Sequence, residues 1–257
     1  MSTSEPDENA STPASSGVWR RRARRWLGGL GRLILPARCL LCGQPGHAGR
    51  DLCQACHNDL PFNHSACAHC GIPLPTPAEA CGTCLKRPPA FDATRAVFRY
   101  GTPVDSLLMR LKFHHDLAAG RVLGELFADE LAAHSGGVDA LLPVPLHSRR
   151  LGERGYNQSL ELARPLARSC GLPLLRTGLQ RHNATAPQTG LDRKARLQNL
   201  HGAFSWVGDK PPPARIALID DTMTTGSTVG ECARVLKRAG AEQVLVWVVA
   251  RVAAPGR

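Results

Sequence analysis

Residues 214–228, ARIALIDDTMTTGST, impose the tightest condition on how this chain can fold. Ile216, Ala217, Leu218 and Ile219 form a short unbroken apolar run, as expected of a parallel strand covered by helices on both faces. Asp220 and Asp221 then fall at its carboxyl end, the edge where open α/β sheets bind ligands. Adjacent carboxylates there can accept hydrogen bonds from neighbouring sugar hydroxyls. Thr224, Thr225, Gly226, Ser227 and Thr228 are small enough for a tight turn that offers backbone N–H groups and several hydroxyls, a cradle suited to phosphate. Val229, Cys232, Ala233 and Leu236 recur at helical spacing, with Gly240 placed to end the helix. The positive end of that helix faces the loop. The competing reading is an ordinary strand, turn and capped helix, with Ser227 or Thr228 as the cap and solvated acids. Paired acids followed by TTGST are a joint requirement, and they favour a sugar-phosphate site.

At these residues the chain resembles the type I phosphoribosyltransferases, whose motif for phosphoribosyl pyrophosphate has the same layout of apolar run, two acids and T-T-G-x-T loop. More narrowly it resembles the ComF family, GntX-like proteins included. The resemblance is carried by CLLCG at 39–43, PVPLHSRRLGERGYNQ at 143–158, QTGLDRKARLQNLHGAF at 188–204 and LIDDTMTTGST at 218–228. Thr222 and Met223 depart from it, since the family more often has two aliphatic residues there. The resemblance implies a type I phosphoribosyltransferase fold, a parallel sheet flanked by helices, behind a small N-terminal double zinc ribbon. It also implies phosphoribosyl pyrophosphate as ligand, Mg²⁺ bound with it, and a link to DNA uptake.

Eight of the ten cysteines fall in four CxxC pairs with ten residues between successive pairs: Cys39 and Cys42, Cys53 and Cys56, Cys67 and Cys70, Cys81 and Cys84. The segment is an internal repeat, with Gly43 and Gly71, then Pro45 and Pro73, at matching places. A CxxC turn directs two sulfurs to one point, and two such knuckles close a tetrahedral four-sulfur site with no open position. Redox chemistry is the rival, but four copies in a segment too short for its own core argue for two structural zinc ions. Sequential pairing of the knuckles is the expectation, with a crossed pairing as the alternative. Arg38, Arg50, Lys86 and Arg87 are candidates to offset the negative charge of the thiolate sites. His47, His57, His64 and His69 are spare ligands where sulfur already suffices. Metal thiolates belong in a reducing compartment, so the expected location is cytoplasmic.

With 257 residues and 43% hydrophobic content, the chain can build one α/β domain and a smaller unit. No apolar run is long enough to span a bilayer. A formal net charge of +11 favours polyanionic partners: nucleic acid, anionic lipid or phosphorylated ligands.

Residues 1–17 are rich in Ser, Pro, Ala and acids and are read as a disordered tail. Residues 18–38 hold seven arginines and no acid, interleaved with Trp19, Trp26, Leu27, Leu30, Leu33 and Ile34, a basic amphipathic segment. Its apolar part is short, glycine-bearing and interrupted by Arg32, which argues against an export signal. Packing of Trp26 and Leu33 on the neighbouring domain is the favoured reading; contact with a membrane surface or with nucleic acid is the alternative. The double zinc ribbon occupies 39–84, a linker 85–92, and the phosphoribosyltransferase domain 93–257.

Within that domain the pattern predicts a strand over 93–100, helices over 104–113 and 117–133, and a strand over 139–144. Lys112 ends the first helix, and the resemblance gives it a role near the site. Val144, Pro145 and Leu146 lead into Arg149 and Arg150, a proline-stiffened turn with backbone N–H groups and two arginines that suits a diphosphate. The resemblance places pyrophosphate there; a basic surface turn is the alternative. Arg154 is read as a ligand-facing charge and Asn157 as a cap, opening a helix to 169. Residues 178–202 are long, polar and basic, hence disordered or a mobile lid bearing Arg181, Gln188, Arg193 and Arg196. The family's flexible hood stands at this place in the order.

The resemblance implies first a phosphoribosyltransferase of unknown acceptor; the alternatives are a single-stranded nucleic-acid-binding accessory of DNA uptake, which the resemblance to the ComF family also implies, and a sensor that binds phosphoribosyl pyrophosphate without turnover.

Overall fold

The computed structural model describes residues 36–182 and 202–253. The chain divides after Gln54 into two compact units. In the first, the Cys39 knuckle is closed by antiparallel bridges from Arg38 to Pro45 and from His47 to Arg50, over a buried Leu52.

The second unit is built on a parallel sheet. Its strands are β1 (Ala93–Arg99), β2 (Ala140–Pro143), β5 (Arg215–Met223) and β6 (Gln243–Arg251), in the order β1-β6-β5-β2. β5 and β6 lie in the middle, each with a long buried stretch, which is why both read as nearly continuous apolar runs. A separate antiparallel hairpin joins β3 (Leu179–Arg181) to β4 (Phe204–Trp206).

The helices are α1 (Val104–Phe113), α2 (Leu117–Leu131), α3 (Ser148–Arg154), α4 (Gln158–Cys170) and α5 (Ser227–Arg238). In α1, Val104, Leu107, Leu108 and Leu111 are buried at i, i+3, i+4 and i+7. Asp116 caps α2 by accepting from Ala119 N at 3.0 Å, and Gly124 admits Pro165 of α4, since a Cβ would lie 2.9 Å from its Cγ. In α5 the expected Val229, Cys232, Ala233 and Leu236 are all buried.

Three expectations need correction. The central strand does not stop before the acids: β5 runs to Met223, because β6 goes on pairing with it as far as Arg251. The diphosphate turn is not a bare turn, since residues 148–154 form α3, capped by the His147 ring and ended by Gly155 at φ 71°. Finally, Arg181 belongs to a strand rather than to a mobile lid. Its neighbour Leu179 is in the core, and its guanidinium lies 5.4 Å from the Phe204 ring centroid. Gln188, Arg193 and Arg196, the 1–17 tail and nearly all of the 18–38 segment lie outside the described residues.

Candidate functional site

The sheet makes the site by an inequality of strand lengths. β2 pairs with β5 only as far as Ile219, where Val144 N makes its last bond to Ile219 O at 2.9 Å. Residues 220–223 continue alone on that side, and the chain after β2 turns away into α3. The gap opens a cleft of about 490 Å³ at the carboxyl edge of the sheet. That is the edge where the strand order of an α/β sheet leaves room for a ligand.

Both acids line this cleft. Because side chains alternate along a strand, they reach it from opposite faces rather than side by side. Asp220 accepts from Ser159 Oγ at 3.1 Å and from Asp221 N at 2.9 Å. Burial first, and the neighbouring Asp221 carboxylate second, hold the Asp220 carboxyl up at about 7. Asp221 is buried, 4% exposed, and its Oδ1 pairs with Lys112 Nζ at 2.9 Å. Lys112 also donates to Thr222 Oγ1 at 3.2 Å, so the lysine at the end of α1 belongs to the site. The second oxygen of Asp221 is enclosed without a hydrogen-bond partner among the described residues, as is Gln158 Oε1 in the same cleft. Buried acceptors left this way call for a cation, a water or a ligand donor.

The remaining predicted residues divide. Val144, Pro145, Leu146, Arg150, Arg154, Arg181, Thr224 and Thr228 all line the cleft. Arg150, Arg154 and Arg181 place three guanidinium groups around it. Burial, and next the Arg150 charge, lower the proton affinity of Arg181. Arg149 is not brought in: its Nε donates to Glu153 at 3.0 Å on the exposed side of α3. Thr225 and Ser227 bond one another through their hydroxyls at 2.7 Å, which shapes the loop. Gly226 makes the turn at φ 77°, where a Cβ would come within 2.6 Å of Met223 Cε. Asn157 caps α4, accepting from Ser159 N at 2.9 Å, and its Nδ2 ties the cap to Val144 O at 3.0 Å.

Sequence reasoning missed an apolar rim. Tyr100, Met109 and Phe113 line the cleft and stay partly exposed, with Arg154 lying 5.3 Å from the Phe113 ring centroid. The available signal was Met109 and Phe113 falling off the buried stripe of α1. Ser159 was also missed, although it follows directly on the polar stretch at 154–158.

The cysteines form two groups, Cys39 with Cys42, Cys53 and Cys56, and Cys67 with Cys70, Cys81 and Cys84, the sulfurs of each within 4.8 Å of one another. Pairing is therefore sequential. A tetrahedral zinc with bonds of ~2.3 Å requires sulfurs roughly 3.8 Å apart. Cys42 and Cys53 stand at 3.6 Å, Cys70 and Cys81 at 3.7 Å, Cys67 and Cys84 at 4.0 Å. Both groups therefore fit zinc, four sulfurs each and no place for a substrate. In the first, burial opposes ionisation of Cys39, but backbone N–H groups, that of Cys53 foremost, bring its thiol down to about 6. In the second, burial and then the Cys70 sulfur push the Cys84 thiol up. Crowded thiolates of this kind ionise together only around a cation.

Residues 30–85 match the family model of the double zinc ribbon domain. Among solved structures, a purine phosphoribosyltransferase from Pyrococcus horikoshii aligns over 51% of this chain and 81% of its own, at 14% identity and a TM-score of 0.31. The allosteric regulatory enzyme of purine biosynthesis aligns over 51% of this chain and 26% of its own, at 22% identity and a TM-score of 0.33. The sequence is 35% identical over 228 residues to the DNA utilization protein YhgH of Escherichia coli K12, covering 85% of this chain and 99% of that protein. It is 36% identical over 222 residues to competence protein F of Haemophilus influenzae, covering 83% of this chain and 96% of the relative. At that identity and coverage, the chain belongs to the ComF family of competence protein F.

Proposed function

We propose that the cleft binds phosphoribosyl pyrophosphate together with Mg²⁺, and that the protein is a phosphoribosyltransferase-type member of a DNA uptake or utilisation system. The observation that carries the reading is the pairing, in one cleft, of a β5 carboxylate oxygen enclosed without a partner and three guanidinium groups. A sugar polyphosphate carries hydroxyl donors and anionic oxygens, and this cleft offers acceptors and cations in the same space. Asp220 and Asp221 would take the ribose, the Thr224–Thr228 hydroxyl loop at the start of α5 the 5′-phosphate, and Arg150 with the backbone after β2 the pyrophosphate.

Mg²⁺ would neutralise the pyrophosphate as it leaves the anomeric carbon. Arg150 and Arg154 would stabilise the same developing charge, while the Arg181 hairpin restricts water. Arg149, paired with Glu153, is a weaker candidate for this work than its neighbour. The apolar rim at Tyr100, Met109 and Phe113 is where an acceptor would lie. The reading as a binding sensor uses the same contacts without transfer.

The DNA role draws on relatives that are named for competence and for DNA utilisation. Among the described residues no helix is long and apolar enough to cross a membrane. Thiolate zinc sites suit a reducing compartment, and we place the protein in the cytoplasm on that ground. Calorimetric titration with phosphoribosyl pyrophosphate and Mg²⁺ tests the ligand: saturable binding is expected, weakened by Asp220→Asn. Pyrophosphate release on adding candidate acceptors then separates enzyme from sensor. Failure to bind at millimolar ligand would reject the assignment.

A further inference from the structure

Arg251 ends β6, the strand held between β1 and β5, and is almost wholly buried at 5% exposure. A buried guanidinium keeps its charge and must find acceptors for a planar fork of donors. This one finds them on both sides. Its Nε donates to the carbonyl of Cys70 at 2.9 Å, inside the second four-cysteine group. Its Nη1 donates to the carbonyls of Met223 at 3.1 Å, of Val252 at 2.7 Å and of Thr224. One side chain thus grips the backbone of a zinc knuckle and the first residues of the hydroxyl loop.

Register explains why this position can do so. Arg251 stands opposite Arg99 of β1 and Met223 of β5, so its neighbours are the strand on which the knuckle lies and the strand from which the loop departs. The knuckle is laid on β1 by Thr94 Oγ1, which donates to His69 O at 2.8 Å. Gly71 approaches so closely that a Cβ would lie 2.8 Å from Thr94 Cγ2. The loop on the other side is equally tight around Gly226. With little slack at either end, displacement of one backbone is transmitted through the fork to the other.

We propose that Arg251 is a positioning residue that couples the second four-cysteine group to the loop carbonyls of Met223 and Thr224, so that metal held by the knuckle and a phosphoribosyl ligand held by the loop stabilise one another. The proposal rests on the ligand reading above. Linkage makes it reciprocal in affinity: the ligand must raise the affinity for metal by the factor by which metal raises that for the ligand, and affinity differences of this kind appear mainly in the dissociation rate.

The test follows zinc release from the full chain into a colorimetric chelator, in excess Mg²⁺, with and without saturating phosphoribosyl pyrophosphate. Calorimetry establishes ligand binding separately. In the unaltered protein the ligand should slow release of one of two zinc ions about tenfold, within the usual range of coupling. Arg251→Lys, which keeps the charge but not the fork, should release zinc at a rate that the ligand changes less than about twofold. Ligand binding with no slowing in the unaltered protein would overturn the coupling alone. Absence of ligand binding would overturn the site reading and the coupling together. Slowing retained in Arg251→Lys would overturn the role of the side chain. The arm with unaltered protein decides the coupling even where the variant does not fold.

Discussion

Asp220 and Asp221 are neighbours in sequence with different duties, and their environments separate them. Asp221 is closed in with Lys112 at 2.9 Å, their side chains 6% and 19% exposed. Removing one member of such a pair strands the other charge, which costs about 3–5 kcal/mol. Lys112→Met should therefore destabilise the domain by roughly 3 kcal/mol in denaturant unfolding. Adding Asp221→Asn should restore part of that loss; simple additivity of the two changes would show that the pair is not coupled. Asp220 instead carries a raised carboxyl, at about 7. A folded-state value above the unfolded one favours the protonated form. Its contribution to stability is full at pH below the ordinary carboxyl range and is lost as pH rises through about 7. Asp220→Asn should flatten this slope between about pH 4 and 7 in thermal unfolding. Binding of Mg²⁺ with the ligand, which favours the carboxylate, should strengthen over the same interval in the parent and not in the variant.

At the scale of elements, the knuckles and the strand ends carry the argument. Each four-cysteine group is a closed site whose sulfurs already stand near zinc-binding separation. A preformed thiolate site contributes the metal's binding energy to folding, so residues 39–84 should lose hydrogen-exchange protection first on chelation. Elemental analysis of reduced protein should find two zinc ions per chain, and one or none would reject the two-site assignment. The cleft depends on a different kind of element property. It exists because β5 and β6 run on beyond β2, and α3 begins where β2's continuation would have filled the space.

The whole molecule is basic, with a formal net charge of +11, and seven of its arginines lie in residues 18–38 beside Trp19 and Trp26. Phosphate-neutralising charge and stacking rings are the ingredients of sequence-tolerant single-strand binding. Full-length protein should bind single-stranded DNA with little sequence preference and with affinity falling steeply as salt rises. Deleting residues 1–36 should weaken that binding. Binding of the arm to anionic vesicles without binding to DNA would assign it to a membrane surface instead.

Local chemistry was enough for the sequence to determine the α/β class, the buried helical and strand stripes around the acids, and the thiolate knuckles. Apolar periodicity, a TTGST turn and a CxxC repeat each act over a few residues, so each is readable without its neighbours. Tertiary structure decided what depends on residues far apart. The Lys112–Asp221 pair joins the end of α1 to β5, and the opposed faces of the two acids follow from how far β6 extends the ladder. Arg149 and Arg150 are adjacent and chemically identical, yet the helical turn of α3 sends one to Glu153 and the other to the cleft. The cation beside the second knuckle was sought at Lys86 and Arg87, next to it in sequence. Arg251 takes that place because parallel pairing sets the end of β6 beside both the β1 ribbon contact and the β5 loop, a juxtaposition that exists only once the sheet has formed.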